Sequence, residues 1–579
     1  MKIACFSPND AIWLWTFSQA NFLEALKNRG DRIFYIHCDR TLSSYCTVMA
    51  VHSVMPGDDM KKKERLCVNC TRQSSLVRER YGFDSIALHT LLDPDDYFYA
   101  DSITEQLTVE DLIDHSINNV SVGKAAAYEA VIQAKHISKK ISGLAEEIYR
   151  KLFRNSLLVA IASRRLMFKI KPELCISYHT AYAYNRTFQL VADSLKIPVY
   201  SLSTSFNMNE LDSYLIAYRG DPLRNLKKMV EHWPKVIGKT CSRMEMIAAS
   251  SHMLALITGR GYAFSVPVKA SAGRFVIPNN KFALVVLSSY DELMAADLAG
   301  FSGWSIDNDI FQSQVDWIKW IIEFASKNPD IHFVIRVHPR EFPIKGLGQR
   351  SAHINQLNEV FSKRPANVLI NMPSDHVPLY DLMLKADAVL VSWSSAGMEA
   401  GMLGIPVVSY FGEALAYPSS LIYHATTREE YQDMVNQALQ RGWSFEQSRM
   451  FFRWAALSLV RSRIQISSLS SHQNQVYKFF GKLIRFMRRS FTPWSGEEWQ
   501  VAFRMRALPD RKKIYQLIDE ELDGLYLTTD DFEEQNSFPD ETKALQDALI
   551  TIARTYEGLS GVRAHKLFNL INTAQVRKH

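Results

Sequence analysis

Two groups of residues in this sequence have the types and spacing to do chemistry. The first lies between Ile331 and Gly412. There the stretches IHFVIRVHPRE (Ile331–Glu341) and ADAVLVSWSSAGMEAGMLGIPVVSYFG (Ala386–Gly412) carry Arg336, His338, Ser394, Ser395 and Glu399 at or just after the ends of apolar runs. A strand that ends in Ser394-Ser395 and opens a helix offers free N–H groups, two hydroxyls and the positive end of a helix dipole, which outlines a phosphate site. Arg336 or His338 can bring charge to the same anion. Glu399, one turn into that helix, can accept hydrogen bonds from ribose hydroxyls. Taken singly, each has a plainer use: His338-Pro339 as a strand-end turn, Ser394-Ser395 as a helix cap. Their order on one α/β pattern is what points to a ligand.

The second group is Cys38, Cys46, Cys67 and Cys70, spaced C-x7-C-x20-C-x2-C. Four thiolates, two of them in C-x2-C, match the ligand count of a tetrahedral structural zinc site. An iron–sulfur cluster is the less favoured alternative. The intervening segment is polar, with Lys61-Lys62-Lys63-Glu64-Arg65 inside it, and reads as a loop that a metal staple would order. Four incidental thiols, or a redox pair at Cys67 and Cys70, remain open. Cys5, Cys175 and Cys241 sit in apolar settings and belong to the core.

The elements that must position these groups alternate strand and helix. Lys2–Phe6 reads as a strand, Ser7-Pro8-Asn9-Asp10 as a turn, Ala11–Lys27 as a helix and Arg32–His37 as a second strand. No glycine fingerprint accompanies this opening. Leu174–Tyr178, a helix over Ala181–Leu195 and Val199–Leu202 repeat the unit. Phe282–Ser288 starts a second series, continued by Ile331–Val337, Asn367–Asn371, Val389–Val391 and Ile405–Tyr410. Such alternation predicts parallel sheets, with ligands beyond the carboxyl ends of the strands. A shift to Gly, Pro and Asn near Ser271–Asn280 marks a crossover. The expected division is a first α/β domain at 1–272 with the Cys-rich insertion at 38–70, a second at 273–465, and a helical extension at 466–579.

The motif R-x-H-P, followed by S-S-x-G-x-E-A and G-x-P-V, resembles the bacterial capsule-polysaccharide synthesis glycosyltransferases, which include the β-Kdo transferases. A more distant similarity is to the polyol-phosphate transferases of teichoic acid assembly. The resemblance implies the GT-B fold, two Rossmann-like domains facing a cleft, with metal-independent chemistry. It implies that His338, Ser394 and Ser395 touch the donor phosphate, with Arg336 as a further charge there, that Glu399 lies near the ribose, and that Ser288 and Ser289 are secondary phosphate contacts. It places the acceptor on the first domain, where Asp10, His179 or Glu210 would be the base. Asp10 equally suits a helix N-cap. The donor it favours is CMP-Kdo and the acceptor a lipid-linked surface polysaccharide. A CDP-polyol phosphotransferase, a nucleotide-sugar 2-epimerase and a non-catalytic scaffold of an assembly complex remain as alternatives.

Composition narrows the remaining choices. A chain of 579 residues, 47% hydrophobic and 22% charged, with a formal charge of +6, is ordinary for a multidomain globular protein. The mild positive balance does not point to nucleic acid; it suits anionic substrates or an anionic membrane surface. The opening MKIACFSPND is too short and too broken for a signal peptide, and no apolar run spans a bilayer. From Val476 to Trp494 an apolar stripe (Val476, Phe479, Phe480, Leu483, Ile484, Met487) carries Lys478, Lys482, Arg485, Arg488 and Arg489 off it, with no acidic residue. A basic helix with aromatic anchors reads as a membrane-surface element. The expected location is cytoplasmic, peripheral at the inner face of the membrane. Asp510–His579 reads as a helical appendix without nameable chemistry.

Overall fold

The computed structural model describes residues 1–211, 213–260, 275–278, 280–301, 308–343, 348–412, 416–466, 509–528 and 537–576. The basic stripe of 476–494 lies outside them. No helix among the described residues is long and apolar enough to cross a membrane.

Two parallel sheets organise the chain. The first holds β1 (Lys2–Ser7), β2 (Arg32–His37), β3 (Asp84–Ala87), β4 (Leu174–Tyr178), β5 (Val199–Thr204) and β6 (Tyr214–Arg219). The second holds β7 (Phe282–Val286), β8 (His332–Arg336), β9 (Val368–Asn371), β10 (Ala388–Val391), β11 (Val407–Ser409) and β12 (Tyr423–His424). A last strand, β13 (Arg463–Gln465), returns to the first sheet. The orders are β13-β6-β5-β4-β1-β2-β3 and β12-β11-β10-β7-β8-β9. The second is wholly parallel, and in the first only β6 runs against the others, antiparallel to both β5 and β13. Each sheet reverses its strand order once, between β1 and β4 and between β7 and β10, which is where doubly wound sheets open a crevice. Two Rossmann-like sheets in series make this the GT-B type of α/β fold expected from the sequence.

Burial explains the strands. β4, β7 and β10 are buried at every position, as central parallel strands covered on both faces must be. The edge strand β3 is half exposed. Three departures from the sequence reading stand out. The 38–70 segment is largely helix rather than loop, with Thr47–Val51 and the 22-residue Met60–Tyr81. Asp59 caps the longer helix by accepting from Lys61 N, and Gly82 ends it at φ 61. Its polar sequence is that of a surface helix with a narrow buried side. Next, Tyr214–Arg219 forms a strand where the reading placed none.

The C-terminal part is a brace, not an appendix. The helix Phe445–Ala455 runs through a π-helical turn, Ala456–Arg461, into β13, so residues 463–465 join the first sheet although the sequence division placed them in the second domain. The helix Arg511–Asp519 then packs on the first domain: Tyr515 OH donates to Ala25 O at 2.9 Å, and Tyr200 OH to Leu517 O and Leu522 O at 2.9 and 2.8 Å. The helix Phe538–Ser560 closes the junction. Its Glu541, fully buried, pairs with Arg453 at 2.7 Å and accepts from Cys241 N at 2.9 Å. One carboxylate thus ties three distant segments together. Removing it leaves Arg453 without its ion-pair partner, while Arg449 keeps Glu446 at 3.5 Å, so Glu541→Gln is expected to cost ~3–5 kcal/mol in a urea unfolding titration.

Candidate functional site

The carboxyl ends of β7, β8 and β10 meet at the switch point of the second sheet, and a pocket of about 450 Å³ opens there. Ser288, Ser289, Arg336, His338, Ser394, Ser395 and Glu399 all line it. Leu226 and Leu256 reach the same pocket from helices of the first domain, so it lies between the two sheets.

Arg336 ends β8 and is 5% exposed. Its guanidinium donates to Asn371 Oδ1. No carboxylate forms an ion pair with it among the described residues. Asp375 lies nearby, but its carboxylate accepts from Asn371 Nδ2 at 3.1 Å and Met372 N at 2.7 Å. Burial lowers the Arg336 pKa to about 10, so it stays charged at neutral pH. A buried cation without its own anion is costly and is met by an anionic ligand.

His338 follows two residues later. Burial, then the nearby cations Arg340, Arg336 and Lys135, push its pKa down to about 3. The ring is therefore neutral. Its Nδ1 accepts from Arg340 N at 3.3 Å, which puts the proton on Nε2 and makes that nitrogen a donor.

The serines differ in availability. Ser394 Oγ accepts from Ala396 N at 3.2 Å just ahead of the helix Ala396–Met402, whose N-cap, Ser395, makes no side-chain capping bond. That helix has only 7 residues, and its dipole is correspondingly small. Ser395 is exposed. Ser288 Oγ accepts from Ser392 Oγ at 3.3 Å. Ser289 Oγ donates to Asp291 and accepts from Arg340 Nε, which commits it to a charge network. Glu399 is buried, with its pKa raised by that burial, and Tyr380 OH donates to it at 2.7 Å. The glycines of A-G-M-E-A-G-M answer to packing: a Cβ on Gly397 would meet Tyr417 Oη at 1.9 Å, and one on Gly401 the Phe451 ring at 2.2 Å.

Arg340 and Glu292 also line the pocket, and sequence reading assigned neither a role. Arg340 pairs with Asp291 at 2.7 Å and with Glu292 at 3.2 Å. Burial raises the Glu292 pKa against the pull of Arg340. The signal for both was their position just past β8 and β7. Lys135, the left-handed C-cap (φ 50) of the first-domain helix Val122–Ala134, donates to Phe342 O and Gln349 O at 2.6 and 2.7 Å, which fastens the loop after β8 to the first domain.

The three first-domain carboxylate and imidazole positions do not line this pocket. Asp10 is 1% exposed and caps no helix; its Oδ1 accepts from Ser7 Oγ and Tyr35 OH, each at 2.6 Å. Burial raises its pKa to about 6. His179, at φ 57 just past β4, sits among the rings of Trp15, Tyr178 and Tyr182, and burial lowers its pKa to about 4. Glu210 pairs with Arg463 of β13. Cys38, Cys46, Cys67 and Cys70 line a separate cavity with Asp10 at its wall. No group of three or more His, Cys, Asp or Glu side chains among the described residues is arranged to hold one metal ion.

No family model matches this chain, and no curated protein does. Among solved structures, the UDP-GlcNAc 2-epimerase of Neisseria meningitidis bound to UDP-GlcNAc is 13% identical, with 84% of this chain and 100% of that one covered and a TM-score of 0.28. KpsC of Thermosulfurimonas dismutans, a β-Kdo 2,4 transferase, is 16% identical over 49% of this chain and 79% of its own, with a TM-score of 0.32. CalG4, the calicheamicin glycosyltransferase, is 13% identical over 83% and 98%, with a TM-score of 0.25. Likenesses this distant leave the strand topology itself as the ground for the fold.

Two outcomes follow from the site's electrostatics. Arg336→Met should leave the unliganded protein no less stable in urea, because it removes a buried charge that lacks a counter-ion. His338 binds no proton when folded until near pH 3, whereas unfolded it does so from ~6.5. Its contribution is therefore present above the unfolded value and is lost as pH falls towards the folded one. His338→Gln should make the decline in unfolding free energy between neutral pH and pH ~5 shallower than in the wild type.

Proposed function

We propose that the protein is a GT-B glycosyltransferase whose second domain holds a nucleotide-activated sugar by its phosphate. The observation that carries this reading is Arg336, a buried cation without an ion-pair partner among the described residues, facing a pocket it shares with the neutral His338 and four serines. A fixed guanidinium and a neutral N–H donor suit a phosphate that gains charge as it leaves. The family resemblance of R-x-H-P and S-S-x-G-x-E-A favours CMP-Kdo as the donor and a lipid-linked bacterial surface polysaccharide as the acceptor. The basic segment 476–494 would keep the enzyme at the membrane surface beside that acceptor.

In this reaction an acceptor hydroxyl attacks the anomeric carbon. The new glycosidic C–O bond forms as the bond from that carbon to the donor phosphate breaks, and the leaving nucleotide keeps the electron pair. Arg336 and His338 stabilise the phosphate. The hydroxyl proton passes to Glu292, which lines the pocket and has a pKa raised by burial. This assignment replaces Asp10, His179 and Glu210, none of which lines the pocket.

Thermal shifts with CMP, CDP, UDP and GDP test the reading, because a ligand of the folded state stabilises it by about 2.7 kcal/mol at a hundred times its Kd. CMP should raise the melting temperature of the wild type and not that of Arg336→Met or His338→Ala. Glu292→Gln should keep that shift and lose turnover. A preference for CDP would indicate polyol-phosphate transfer, and one for UDP another sugar transferase or an epimerase. No shift with any nucleotide would sink the enzyme reading in favour of a scaffold.

A further inference from the structure

A second constructed feature lies at the carboxyl edge of the first sheet, outside the donor pocket. Cys38 directly follows β2, Cys46 precedes the helix Thr47–Val51, and Cys67 and Cys70 stand about one turn apart on the helix Met60–Tyr81. All four side chains line one cavity of about 20 Å³. That exceeds the ~10–15 Å³ at which a void admits one water. None of the four is in a disulfide. Four of the seven cysteines of the chain thus meet from three separate segments.

Burial raises the pKa of all four thiols, so the sulfurs are held as anions here only when a bound cation compensates them. Backbone N–H groups of Arg40 and Leu42 act on the Cys38 sulfur, and that of Ala11 on Cys70. Amide donors directed at sulfur are a feature of metal-bound thiolates, where they tune the centre. The nature of the centre follows from spacing. A zinc ion with sulfurs at ~2.3 Å draws all four onto one point. Here no three donors converge on a single ion, yet four surround a void. A polynuclear body bonded to one sulfur at each corner needs no such convergence, and the cavity of about 20 Å³ widens as it enters.

We propose that Cys38, Cys46, Cys67 and Cys70 hold an iron–sulfur cluster in this cavity. The cluster would staple the helix Met60–Tyr81 and the loop after β2 to the edge of the first sheet, beside the buried carboxylate of Asp10. The proposal is independent of which sugar or nucleotide the second domain binds.

The test is elemental and spectroscopic. Full-length protein purified without oxygen should contain iron and acid-labile sulfide in equal amounts and show visible thiolate-to-iron absorption that dithionite bleaches. Cys46→Ser should lose the iron, the sulfide and the colour, while Cys175→Ala, which changes a thiol of the sheet core, should keep them. Circular dichroism separates loss of the cluster from loss of the fold. Should Cys46→Ser not fold, the wild-type metal content decides alone. One zinc per chain without sulfide overturns the proposal. So does an absence of iron that persists after anaerobic reconstitution with ferrous iron and sulfide.

Discussion

The site depends on one uncompensated charge. Arg336 closes β8 at the switch point of the second sheet, 5% exposed, with Asn371 holding its guanidinium and no carboxylate in an ion pair with it among the described residues. A fold tolerates such a charge when neighbouring contacts keep it in place and a ligand completes it. The neighbouring contacts are visible: Asp375 positions Asn371, Arg340 is neutralised by Asp291 and Glu292, and His338 is kept neutral by its burial and by the surrounding cations. Arg336 is thereby left as the charge available to an anion from the cleft.

The second domain alone does not complete the pocket. Leu226 and Leu256 come from the first domain, and Lys135 fastens the loop after β8 to it. The chain after β12 then returns to the first sheet through β13 and buries Glu541 where the two domains and the last helices meet. Connections of this kind fix the relative position of the two sheets, which a reaction between groups on opposite walls requires.

Much of this was legible in the sequence, and the reason is locality. Central strands such as Phe282–Val286 are continuous apolar runs, and the pocket-lining residues follow them at the strand ends or one helical turn on, so all seven predicted positions could be read from local pattern. Non-local contacts were not legible. Glu210 stands past a strand end and reads as a free carboxylate, but Arg463 of a three-residue strand far along the chain occupies it. Asp10 has the position of a helix cap, yet the helix begins three residues later and its carboxylate turns to Tyr35 of the neighbouring strand. The helix Met60–Tyr81 has so polar a composition that its narrow buried side leaves little periodic signal. Arg340 and Glu292 were visible as letters but not as pocket walls, because their roles come from each other.

A crystal structure of the protein soaked with CMP tests the central claim most directly. The account predicts the phosphate within hydrogen-bond distance of the Arg336 guanidinium and His338 Nε2, in the pocket between β7, β8 and β10. A nucleotide bound elsewhere, or one in this pocket with its phosphate turned away from Arg336, would contradict it.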